Sequence, residues 1–117
     1  MKIAKKLEVV FYRTESGTEP VRDWLRELSK ADKKLIGDDI KTVQFGWPLG
    51  MPLVDHIGAG LWEVRIKLTG KRIARIIFFL DNHLMILVNG FIKKTQKTPQ
   101  QELELAQKRK RQYETSS

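Results

Sequence analysis

The chain has 117 residues, 41% apolar and 31% charged, which describes one folded domain rather than a disordered segment or a two-domain protein. Cysteine is absent, which excludes a disulfide framework, a thiol nucleophile and thiolate metal ligation, and suits a reducing cytoplasm. Twenty-two Lys and Arg against fourteen Asp and Glu give +8, with twelve basic and five acidic side chains (+7) in residues 61–117. Such a concentrated surplus points to a polyanionic partner. No run of 18 apolar residues spans a bilayer, and the apolar stretch that follows the basic start is too short for a signal peptide.

In chain order, residues 7–12 are β-rich and predict a first strand. Gly17-Thr18-Glu19-Pro20 then turns into a helix, with Thr18 or Glu19 at its cap and Pro20 in its first turn. Val21, Trp24, Leu25 and Leu28 share one stripe of that helix. Ser29 caps a second helix, Asp32 standing three positions on as a weak capping box, and Ile36, Ile40 and Val43 face the core before Gly46-Trp47-Pro48 ends it. Residues 46–60, with four Gly and two Pro, predict a loop of turns.

Residues 61–68 alternate, with Trp62, Val64, Ile66 and Leu68 on one face and Glu63, Arg65 and Lys67 on the other. Thr69-Gly70 and Asp81-Asn82-His83 are turns around a strand at 72–80, and a further strand follows over 84–91. Thr98-Pro99 opens a last helix that runs to about Tyr113, with Leu103, Ala106 and Tyr113 on one side. The expectation is a single α+β domain of order βααβββα over residues 1–117. Its curved antiparallel sheet has about four strands, half covered by an N-terminal helical hairpin, with a C-terminal helix.

Arg75 stands alone in an otherwise apolar strand, and a buried arginine needs a partner. One reading pairs it with Glu63 across the sheet. The other gathers Arg65, Lys67 and Arg75 on a concave face, with Lys93 and Lys94 reaching in from the end of the last strand. That cluster suits a phosphodiester, since arginine grips two oxygens with its fork and lysine adds a mobile charge. His56, in the loop before the sheet, is the candidate acid or base, although a lone loop histidine is usually surface. Phe91 is either core or a stacking platform for a base. Lys108-Arg109-Lys110-Arg111 is either a solvated helix end favoured by the dipole or a contact to rRNA phosphates.

Leu61-Trp62-Glu63-Val64-Arg65-Ile66-Lys67, Arg75-Ile76-Ile77-Phe78-Phe79 and Val88-Asn89-Gly90-Phe91-Ile92-Lys93-Lys94-Thr95-Gln96-Lys97-Thr98-Pro99 together resemble the phage-derived, HigB-like branch of the RelE/ParE toxin superfamily. The resemblance implies a small α/β toxin of a type II toxin–antitoxin module, most simply a metal-independent endoribonuclease that cuts mRNA in the ribosomal A site. It implies catalytic roles for Arg65, Lys67, Arg75 and Lys93 or Lys94, and RNA contacts at Lys71, Arg72, Phe91, Lys97 and Lys108–Arg111. Its partners would be a cognate antitoxin, expected as a helix-turn-helix protein, and the ribosome. Neither metal, cofactor nor membrane is implied, and the expected compartment is the cytoplasm. Two departures, Glu63 in place of a family lysine and Pro99 near a family tyrosine, keep open a ParE-like action on DNA gyrase or a non-catalytic nucleic-acid-binding role.

Overall fold

The computed structural model describes residues 4–93 and 97–116. The elements follow as β1 (Glu8–Phe11), α1 (Pro20–Arg26), α2 (Lys30–Gly46), β2 (Val54–Gly58), β3 (Leu61–Lys67), β4 (Ile73–Asp81), β5 (Leu84–Lys93) and α3 (Gln100–Ser116). Pro20 occupies the first turn of α1 after Glu19, as its fixed φ allows. Ser29 Oγ accepts from the Asp32 amide at 3.1 Å and caps α2.

The fold is α+β, with helices on both sides of an open mixed sheet of order β1-β5-β4-β3-β2. β2 to β5 form an antiparallel meander, whereas β1 runs parallel to β5 at the sheet edge. The expected order therefore holds, with one strand added inside the stretch 46–60. There, Val54 is buried and pairs with Val64, and a turn at Ala59-Gly60, both at positive φ, returns the chain into β3. The glycines and prolines around this five-residue strand hide its short alternation in the sequence.

Strand parity divides the core in two. Val64, Ile66, Ala74, Ile76, Phe78, Met85 and Leu87 meet the α1–α2 hairpin. Trp24 of α1 packs on Gly90 of β5, and Trp47 meets Trp62 and Phe78 edge-on at 5.0 and 5.7 Å. On the other face Leu61, Ile77, Phe79, Ile86, Val88 and Phe91 lie under α3, with Ala106 as the helix's buried residue.

Among the described residues, no helix is long and apolar enough to cross a membrane.

Candidate functional site

Register builds the site. In β3, Glu63, Arg65 and Lys67 alternate onto the α3 face of the sheet. Arg65 lies directly opposite Arg75, which lies opposite Phe91; Lys67 lies opposite Ile73, which lies opposite Lys93. Two adjacent cross-strand rows therefore carry Arg65, Arg75, Lys67 and Lys93 on one face. Lys67 and Lys93, two strands apart, have backbones about 10 Å from each other.

The four cations differ in what surrounds them. Arg75 is 0% exposed, and one terminal nitrogen stands 3.7 Å from a Glu63 oxygen. Glu63, also 0% exposed, accepts from Arg65 Nε at 2.9 Å through the same oxygen. Its second oxygen accepts from the Thr98 hydroxyl at 2.7 Å. Burial lowers the pKa of Arg75, the Glu63 carboxylate opposes that shift, and the neighbouring Arg65 adds to it. Arg65 is 18% exposed and also stands 3.7 Å from Asp55. Lys67 and Lys93 are exposed at the end of the face.

The two readings of Arg75 thus meet in one arrangement. The cross-strand partner Glu63 is in place, and so is the shared basic face, but Arg75 forms the buried floor of that face while Arg65 and the lysines form its accessible part. A phosphate arriving here meets Arg65, oriented by Glu63, and two mobile ammonium groups. The geometry can hold and neutralise a phosphodiester.

The remaining expected residues disperse. Lys97 is exposed just before α3, close in sequence to Thr98, and Lys71 is exposed in the β3–β4 turn. Lys94 lies outside the described residues. Arg72 donates to both oxygens of Asp32, at 2.8 and 3.0 Å, tying the β3–β4 turn to the first turn of α2. These hydrogen bonds hold the Asp32 carboxyl below its usual pKa against the opposing effect of burial. Asp32 therefore serves Arg72 first, with a smaller contribution from the Ser29 side chain at the cap. Phe91 is 8% exposed and packs in the core beneath α3.

In α3, Lys108 and Arg111 are exposed, whereas Arg109 donates inward to the Val88 carbonyl at 2.7 Å. Lys110 pairs with Glu114 at 2.8 Å and sits 5.5 Å from the Phe79 ring centre. His56 lies opposite Trp62 with the rings 4.4 Å apart, so strand parity places it on the face away from Arg65.

Thr98 and Asn89 are structural supports of the candidate site that residue types alone do not single out. Asn89 Nδ2 donates to the Glu102 carbonyl and carboxylate at 3.1 and 2.8 Å, and its Oδ1 accepts from the Gly90 amide. Together with the Thr98–Glu63 bond, this seats the start of α3 beside the Glu63–Arg65 pair. An asparagine inside an apolar strand was the available signal.

The family model for the phage derived protein Gp49-like (DUF891) group matches residues 23–111, from α1 into α3 and across all of the basic rows. The chain belongs to this Gp49-like family. No curated protein matches it. The match to this Gp49-like chain takes in Glu63, Arg65, Lys67, Arg75 and Lys93 as well as the scaffold that aligns them.

Proposed function

We propose that this Gp49-like chain is the toxin of a type II toxin–antitoxin module, of the HigB-like branch of the RelE/ParE superfamily, and that it cuts mRNA on the ribosome. The observation that carries the reading is the pair of adjacent rows on one sheet face, with Arg65 held by buried Glu63 and flanked by exposed Lys67 and Lys93.

In this reading the scissile phosphate rests on Arg65, while Arg75 holds Glu63 in place from below. The RNA 2′-oxygen attacks phosphorus in line, the bond to the 5′-oxygen breaks, and Lys67 or Lys93 gives that oxygen a proton. Both Glu63 oxygens already accept hydrogen bonds, from Arg65 and Thr98. The proton of the 2′-hydroxyl then passes to a group of the ribosome or the mRNA, which accounts for dependence on the ribosome.

Mapping of mRNA 5′ ends after induction, and cleavage by the purified chain on programmed ribosomes, test the proposal. Arg65→Ala, with the fold intact by circular dichroism, is expected to slow cleavage by about 10²- to 10³-fold, the usual loss on removing one transition-state charge donor. Intact mRNA with gyrase-trapped broken DNA would replace this reading by gyrase inhibition. Neither lesion would leave a non-catalytic nucleic-acid-binding role.

A further inference from the structure

On the sheet face opposite Arg65, an open groove of about 440 Å³ lies between β1 and the helical hairpin. Val9, Phe11 and Leu87 form its floor; Leu25 of α1 and Ile36 of α2 form its walls. Every charged residue that lines it is basic: Arg22, Arg26 and Lys33, all exposed. Arg22 is linked to Glu19 at 3.0 Å, outside the groove lining.

Two further features belong to the same place. Gly37 stands in the α2 wall, inside a helix, where glycine lowers helix stability. A Cβ added there would meet nothing within 4 Å, so packing within the domain does not demand the glycine. It leaves the wall low. The second feature is the edge itself. β1 has β5 on one side only. The Glu8 and Tyr12 amides donate to the His83 and Leu87 carbonyls at 2.9 and 3.0 Å, so by alternation the Val9 and Phe11 amides point away from the sheet. β1 contains no lysine, proline or bulge of the kind that guards a sheet edge, and its one charge, Glu8, stands at its start, 3.3 Å from Lys5.

We propose that the β1 edge and this groove dock an extended acidic–apolar segment of a protein partner by strand addition. Main-chain bonds form with Val9 and Phe11, alternate apolar side chains drop into the groove beside Gly37, and carboxylates meet Arg22, Arg26 and Lys33. A second copy of this chain would bring the same three cations to its own groove, so charge favours a different, acidic partner. The groove lies on the face away from Arg65, and the proposal stands or falls apart from the nuclease reading.

Selection of random twelve-residue peptides displayed on phage against the full chain tests it. Enriched peptides are expected to alternate Asp or Glu with apolar residues and to protect the Val9 and Phe11 amides from hydrogen exchange. Gly37→Phe should weaken them at least tenfold, Gly37→Ala should keep most of the binding, and the double change Arg22→Glu with Arg26→Glu should also cost at least tenfold. Thermal melts establish that the variants fold; should Gly37→Phe fail to fold, the charge-reversed pair decides. Any of four results overturns the proposal: no enrichment, no acidic bias, undiminished binding to the variants, or protection absent from Val9 and Phe11, as with a helical occupant. Concentration-dependent dimers abolished by Gly37→Phe would assign the groove to a second copy instead.

Discussion

Glu63 occupies a position where a carboxylate is costly unless cations and donors surround it, and three different elements supply them: Arg65 from its own strand, Arg75 from β4 and Thr98 from the approach to α3. Removing it leaves two guanidinium groups facing each other across one register position, one of them fully buried. Glu63→Ala is therefore expected to lower stability by about 3–5 kcal/mol, read from the denaturant midpoint. Gly90 illustrates a different constraint. Its φ is unexceptional, but a Cβ there would stand 2.6 Å from two carbons of the Trp24 ring. A rigid indole cannot bend aside, so Gly90→Ala should cost about 1–3 kcal/mol by overpacking, and Trp24→Leu in the same chain should relieve part of that penalty in a double-mutant cycle. The lone arginine in β4 and its nearest cross-strand partner are readable from strand parity. That Arg75 would be wholly covered is not, because coverage depends on where a distant helix comes to rest.

At the scale of elements, β5 organises the molecule. Its register shifts so that Ile77 pairs with Asn89 while Phe78 pairs with Leu87, leaving Val88 as the extra residue. The Val88 carbonyl accepts from Arg109, Asn89 donates to Glu102, Gly90 lies against the Trp24 ring, and Phe91 fills the core. The stretch most telling in the sequence thus seats both helical layers on one strand. α3 contributes few apolar side chains and is tied down by polar contacts at both ends, including Tyr12 to Gln112 and Tyr113 to Asp81, each at 2.7 Å. This thin apolar pattern explains why the sequence placed α3 in the chain but not on the sheet. The Tyr113 hydroxyl donates to Asp81, and that bond, aided by burial, lifts the phenol above its usual 10.0. Its contribution is complete below pH 10 and disappears as pH climbs through the raised value, since the phenolate can no longer donate and repels Asp81. Amide exchange along α3 should accelerate in that alkaline range in the wild type. Tyr113→Phe should show weaker protection at neutral pH and a flatter alkaline response; identical profiles would refute this account.

Across the whole molecule, folding redistributes the +7 of residues 61–117. Arg75 goes into the interior, Arg109 turns toward β5, and Arg72 is held by Asp32. What reaches solvent on this half is chiefly lysine, at 67, 71, 93 and 97, with Lys108 and Arg111 on α3. Composition could count these charges but not sort them, because a pair such as Arg72 and Asp32 spans 40 positions of sequence. Sorting changes what a polyanion would feel. Cations that contact phosphates release counterions, whereas a cation whose donors are taken up within the fold, as Arg72's are by Asp32 and Thr69, does not. For binding to single-stranded RNA, Lys67→Ala and Lys93→Ala should each reduce the slope of log affinity against log salt by about 0.7. Arg72→Ala, measured well below its melting temperature, should leave that slope unchanged, and so should His56→Ala on the opposite face. Fluorescence anisotropy of a labelled oligonucleotide between 50 and 300 mM salt (a range of about sixfold in ionic strength) resolves a change of that size. Equal slopes for wild type and the two lysine variants would move the RNA away from the Arg65 face, and a loss at Lys108 and Arg111 instead would place it along α3.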